Sequence, residues 1–170
     1  MFHKPVIDCA RELSFIEALV IIDSARNKGC TLESVFSLLE NTKSQKGRKK
    51  VEVVIAHSSA KSESVAETIA RYNLYRIGMP KPELQKQLFY EGHGYRVDIA
   101  YPKFSLIVEI DGKQKYFEYT DDIKKALYKE KIRQDIIERN GWRVIRLVWH
   151  DIHNLDKLRF LFNQYLTSKY

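Results

Sequence analysis

Two acids stand in a stretch that otherwise reads as the core of a β-sheet. Residues 104–111, Phe104-Ser105-Leu106-Ile107-Val108-Glu109-Ile110-Asp111, are nearly all apolar until Glu109 and Asp111. The two are separated by one residue, so in a strand they share a face. Burying carboxylates without a partner costs several kcal/mol or forces them to protonate. A divalent cation is one natural compensation. Asp98 extends the pattern in the preceding apolar run. A two-residue turn at Pro102-Lys103 would pair Tyr101 with Phe104, set Asp98 opposite Ile107, and leave it diagonal to Glu109. Carrying the pairing back through a turn at Glu91-Gly92-His93-Gly94 sets Gln87 opposite Asp98. Oxygen ligands of this kind suit Mg²⁺ or Mn²⁺ rather than zinc. Such an ion activates water and neutralises charge that builds on a phosphodiester. Lys113 and Lys115 follow directly, where a lysine could position that water or stabilise the transition state. An edge of surface acids paired with surface lysines explains the same spacing equally well.

Basic residues gather downstream. Lys124, Lys125, Lys129, Lys131 and Arg133 fall in a long polar segment, and Arg143 and Arg146 in the apolar run after it. Contacts to a phosphate backbone are one use for them. A solvated helix face, balanced by Glu130, Asp135 and Glu138, is the competing one. Tyr116, Phe117 and Tyr119 could stack on bases or pack in a core. Trp142 and Trp149 read as core residues, and His57, His150 and His153 as too scattered to form a site.

The elements that must position these residues follow from pattern. Ser14-Phe15-Ile16-Glu17 has the form of a capping box, opening a helix to about residue 27. Thr31 caps a second helix that carries Leu32, Val35, Phe36 and Leu39. Together they predict an αα-hairpin, followed by an exposed basic linker over residues 41–50. A third helix is predicted over 62–77, stopped by Gly78 and Pro80. Glu67 lies on it and reads, by itself, as a surface acid. Strands are predicted over 84–90, 95–101 and 104–111, a helix from 121 or 122 to 139, a strand over 142–149 and a last helix over 155–165. A strand, a helix and a strand make a crossover, whose default is a parallel pair. The expected fold is α/β, a central mixed four-stranded sheet flanked by helices. Residues 1–50 are expected to form a helical segment with its basic linker, and 51–170 the second domain.

Composition narrows the partners. The 170 residues carry a net charge of +7, which favours an anionic partner, nucleic acid foremost. Cys9 and Cys30 lie in no zinc-like cluster and read as free thiols. The longest strongly apolar run, residues 18–22, is too short to span a bilayer, and the first residues do not resemble a signal peptide. The expectation is a cytoplasmic protein with no membrane association.

The chain resembles a known family. Gln87-Leu88, Tyr95-Arg96-Val97-Asp98-Ile99-Ala100 and Leu106-Ile107-Val108-Glu109-Ile110-Asp111-Gly112 look like relatives of the very-short-patch repair endonuclease in the PD-(D/E)XK superfamily. Glu130-Lys131-Ile132-Arg133-Gln134-Asp135 and Gly141-Trp142-Arg143-Val144-Ile145-Arg146-Leu147 resemble its closing helix and strand, and Glu63-Ser64-Val65-Ala66-Glu67 its first helix. The resemblance covers roughly residues 60–152 and implies a restriction-endonuclease-like sheet, with Mg²⁺ (or Mn²⁺) at Asp98 and Glu109. It implies that Asp111 and Glu67 complete the site, that Gln87 supports it, and that Lys113 or Lys115 assists. Three features depart from the pattern. Asp111 stands at the superfamily's lysine position, Lys113-Gln114-Lys115 stands where relatives often have a histidine, and the repair enzyme's zinc-binding residues are absent. The N-terminal part is similar to a bacterial subgroup in which a winged-helix domain of the abortive-infection antitoxin type precedes the nuclease-like domain. None is expected in these residues, and the resemblance implies a truncated relative or an excised domain from which an N-terminal winged helix is missing. The functional expectation is a metal-dependent endonuclease acting on DNA, with a homodimer as a further possibility. The alternative is a catalytically silent nucleic-acid-binding or antitoxin-like regulatory module.

Overall fold

The computed structural model describes residues 3–41, 46–111 and 121–166. They form two compact units that divide between Tyr72 and Asn73.

The first unit is helical. Helices α1 (His3–Glu12), α2 (Phe15–Asn27), α3 (Leu32–Glu40) and α4 (Arg48–His57) precede α5 (Val65–Arg76), which runs across the division. The expected capping box opens α2: the Ser14 N–H donates to Glu17 Oε2 at 2.9 Å, and Ser14 Oγ accepts from the Glu17 N–H at 3.4 Å. Thr31 Oγ1 caps α3 by accepting from the Ser34 N–H. In this unit the sequence reading missed two helices. α1 buries Ile7 and Ala10, and α4 buries Val51, Val54 and Ile55 in the same core as Leu19, Ile22, Val35 and Leu39. The expected basic linker is therefore partly helix, because Arg48-Lys49-Lys50 forms the first turn of α4. Lys50 Nζ bonds the Arg11 and Leu13 carbonyls, each at 2.6 Å, and so closes the end of α1. Asp23 is buried, and its carboxylate accepts from the Ser59 N–H, Thr68 Oγ1 and Arg71 Nη2. Those bonds fix the chain between α4 and α5, and they offset the desolvation of a buried charge.

The second unit is a four-stranded mixed sheet in the order β1-β2-β3-β4. Its strands are β1 (Glu83–Tyr90), β2 (His93–Tyr101), β3 (Leu106–Asp111) and β4 (Arg143–Val148). β1, β2 and β3 pair antiparallel, and β3 pairs parallel with β4 through α6 (Asp121–Arg139). Two connections differ from expectation. Glu91 and Gly92, with φ of 51° and 77°, make a two-residue turn of the type that suits the twist of a hairpin. β2 therefore starts at His93, and Gln87 pairs with Arg96 rather than Asp98. Between β2 and β3, Pro102–Phe104 forms a 3₁₀ turn and Ser105 is left-handed, so Tyr101 pairs with Leu106 rather than Phe104. Both slips are of two residues, and an even slip keeps each side chain on its predicted face.

One face of the sheet packs Ala100, Ile107 and Val144 with Ile137 of α6, and the Trp142 indole N–H donates to the Tyr90 hydroxyl at 2.8 Å. From the other face Ile99, Leu106, Val108 and Leu147 are fully buried. The chain ends in α7 (Trp149–His153) and α8 (Leu155–Leu166), which buries Leu158 and Phe162. Among the described residues no helix is long and apolar enough to cross a membrane.

Candidate functional site

β2 and β3 bring Asp98 and Glu109 level with each other. The ladder places Ile99 opposite Val108, so the next positions outward are 98 and 109. The corrected register thus sets the two acids side by side, where the sequence reading had them diagonal. The position facing Asp98 on β1 is Gln85, between the Leu84–Ile99 and Lys86–Val97 pairs, with a left-handed φ of 51°. Asp98 Oδ2 accepts the Ile110 N–H at 3.0 Å.

The compensation for these acids is arginine. Arg133 reaches down from α6, its Nη2 donating to Glu109 Oε1 at 2.8 Å and to the Arg96 carbonyl at 2.9 Å. Its Nη1 donates to Glu130 Oε1 at 2.9 Å. Arg146 of β4 donates to the same Glu130 oxygen at 2.6 Å, and its Nη1 lies 3.8 Å from Asp111 Oδ1. The chain of charges runs Glu109, Arg133, Glu130, Arg146, Asp111, with Asp98 beside Glu109. Four carboxylates face two guanidiniums. A guanidinium's planar fork suits this bridging better than an ammonium would. The excess of acids shows in Glu109, whose side chain is 15% exposed. Burial pushes its pKa above the ordinary value; the Arg133 bond pulls it down, while Asp98 and Glu130 push it further up. Arg133 is held more basic than usual: burial opposes its charge, but the bonds and charges of Glu109 and Glu130 together outweigh burial.

Hard oxygen donors suit Mg²⁺ or Mn²⁺, but here Arg133 engages Glu109, Arg146 lies beside Asp111, and Asp98 accepts a backbone N–H. Among the described residues no three acid, histidine or cysteine side chains are grouped for a cation. The bonds to Glu109 and Asp98 each engage one oxygen of the carboxylate, so both acids already serve other partners in this arrangement. Lys113 and Lys115 lie outside the described residues, as does the side chain of Lys124. Glu67 belongs to the first unit, where it has a structural task. Its carboxylate accepts the Glu63 N–H and the Ser64 hydroxyl, and its own N–H donates to Ser64 Oγ, a cap at the start of α5.

The expected phosphate-binding residues fall into two groups. Arg133 and Arg146 are tied into the acid cluster. Lys125, Lys129, Lys131 and Arg143 are exposed, and among the described residues none has an ion pair. Two features differ from the sequence expectation. Glu130, taken there as a counter-charge for helix lysines, is the bridge between both arginines; its spacing of three from Arg133 was the available signal. Trp149, taken as core, is 43% exposed.

The fold and this cluster define a mixed α/β domain, a four-stranded sheet flanked by helices, whose acids are held by arginines. Residues 108–164, about a third of the chain, match the RAP domain. That stretch runs from the end of β3 through α6 and β4 into α8, and holds every member of the cluster except Asp98. RAP is a nucleic-acid-binding, RNA-associated domain that is itself PD-(D/E)XK-like, and the match suggests nucleic-acid binding without showing a nuclease family. Two proteins of Mycobacterium tuberculosis, "Uncharacterized protein MT2308" of strain CDC 1551 / Oshkosh and "Uncharacterized protein Rv2248" of strain ATCC 25618 / H37Rv, are each 25% identical over 150 residues, 86% of this chain. The chain spans about half, 53%, of the length of these relatives. No solved structure matches the chain at a significant level.

Proposed function

We propose that this chain is a nucleic-acid-binding module, with RNA ahead of DNA as its ligand, in which the acid cluster holds the fold rather than performing hydrolysis. One observation carries this reading: arginine and backbone groups engage the acids, while Lys125, Lys129 and Lys131 on α6 stand exposed and unpaired among the described residues. An ammonium without an internal partner is available to displace counterions from a phosphate backbone. The RAP match and the net charge of +7 support the same partner, and the RNA association of that domain puts RNA first.

A second reading is metal-dependent hydrolysis of DNA phosphodiesters, with Asp98 and Glu109 as ligands of Mg²⁺ or Mn²⁺. The observation that favours it is that these two carboxylates stand level on neighbouring strands and that Asp98 adds to the repulsion felt by Glu109.

Labelled RNA and DNA oligonucleotides, titrated with chelator and with excess Mg²⁺ or Mn²⁺, separate the two. The binding module holds the oligonucleotide equally well in chelator and leaves it intact. No binding under any of these conditions sinks the first reading. Cleavage that needs the metal and is abolished by Asp98→Asn moves the assignment to the second.

A further inference from the structure

We propose that Trp149 is a stacking platform for a base of a single-stranded nucleic acid. This rests on the reading of the chain as a nucleic-acid-binding module, and it names a contact that the lysines cannot supply.

The position is that of a ligand edge. The parallel pair β3/β4 ends at Asp111 opposite Val148, and Trp149 is the next residue. In α/β sheets, ligands bind outside the carboxyl ends of parallel strands. Trp149 is 43% exposed there and Val148 41%. The chain's other tryptophan, Trp142, is half-buried with its N–H satisfied by Tyr90. A half-open indole at the mouth of a parallel pair therefore sets Trp149 apart.

The indole is also held. The His153 imidazole lies against it, ring centres 4.6 Å apart and planes inclined by 50°, and His153 Nδ1 is 2.8 Å from the Trp149 carbonyl oxygen. The turn beneath is fixed by Asp151, which accepts from the Val148 N–H at 3.3 Å and from Lys157 Nζ at 2.6 Å. A ring already in place loses little freedom when a base arrives, which is what a stacking site needs.

The surroundings favour a base over a protein. The centre of a stable protein contact is a contiguous, desolvated, mostly apolar patch of several residues. Along the chain from Trp149 the exposed neighbours are Val148, then His150 and His153, both polar. One flat aromatic set among imidazoles, on a chain of net charge +7, matches the flat face and the phosphates of a nucleotide. Every base has a π-face, so the contact is tolerant of sequence.

The test uses the full chain and a fluorescein-labelled single-stranded uridine RNA. Affinity is read from anisotropy of the label, and the platform from the protein's own tryptophan emission with unlabelled RNA. Saturating RNA is expected to quench part of that emission. Trp149→Phe should bind within about twofold of wild type but lose the quenching. Trp149→Ala should bind about fivefold or more weakly, in line with loss of one base–aromatic stack, with unchanged far-UV circular dichroism. Binding with no quenching, or Trp149→Ala binding as wild type, overturns the platform and leaves the nucleic-acid reading standing. RNA that fails to bind at all overturns both.

Discussion

Glu109 carries its charge where the fold offers little water. Arg133 answers that charge while also bonding Glu130 and the Arg96 carbonyl. Arg133→Ala would leave a mostly buried carboxylate without its guanidinium. Removing one partner from such a pair is expected to cost about 3 kcal/mol, the low end of the range because a fifth of Arg133 is exposed. Arg133→Lys keeps the charge but cannot span three acceptors, and should fall between the two in urea melts. The pKa of Glu109 is raised in the fold, burial foremost. The folded chain therefore holds that proton more tightly than the unfolded one. The stability this contributes is fully present below the unfolded value near 4.5 and is lost as pH rises through the higher folded value. Glu109→Gln should abolish that loss, so melting temperatures of variant and wild type should diverge in the variant's favour as pH climbs from acid to neutral. A constant difference across that range would show that Glu109 is not the group responsible. Asp98 divides its roles similarly. Asp98→Asn can still accept the Ile110 N–H and relieves Glu109 of a neighbouring charge, whereas Asp98→Ala strands that N–H at about 1–3 kcal/mol. The sequence alone placed Asp98, Glu109 and Asp111 on one face, because strand period is fixed. It could not supply Arg133 and Arg146 as their partners, because which sheet face a crossover helix covers is a tertiary fact.

At the scale of elements, apolar periodicity placed the second unit's strands and long helices. It missed the short α7, where Trp149 was expected to end a strand, and it did less well in the first unit. β1 to β4, α6 and α8 all lie within a few residues of their expected places, since each has a clear run of two-fold or helical spacing. Register failed by two residues twice, at the Glu91-Gly92 turn and at Pro102–Ser105, because turn length was inferred from proline and glycine without their dihedral angles. α4 was hidden behind its own basic first turn. Val51, Val54 and Ile55 carry its helical spacing, but Arg48-Lys49-Lys50 in front of them reads as linker. α6 keeps Arg133 and Ile137 toward the sheet, while Lys125, Lys129 and Lys131 are exposed. If the exposed lysines contact phosphates of a single strand, each contributes about 0.7 to the slope of log affinity against log salt. Replacing all three by alanine should flatten that slope by about 2 and weaken binding at low salt most. An unchanged slope would move the phosphate contacts off α6. Arg143, exposed on β4, is the next candidate.

For the whole molecule the question is which ligand the native state prefers. The net charge of +7 spreads over two units, yet both tryptophans, Trp142 and Trp149, belong to the second. Thermal melts followed by tryptophan emission therefore report the unit that holds the acid cluster. A ligand bound by the folded state alone stabilises it by mass action, about 2.7 kcal/mol when present at a hundred times its dissociation constant. A single-stranded RNA that binds the second unit should raise that melting temperature, and the rise should shrink as salt is added. Mg²⁺ or Mn²⁺ bound at Glu109 would compete with Arg133 for that carboxylate, and loss of the Arg133 bond would leave a guanidinium desolvated and short of one partner. The expected result is that either ion, in excess over chelator, leaves the wild-type melt in place, and that Asp98→Asn responds no differently. A metal-induced rise in the wild type that disappears in Asp98→Asn would mean that the arginines yield to a cation, and the cluster would then have to be read as a metal centre.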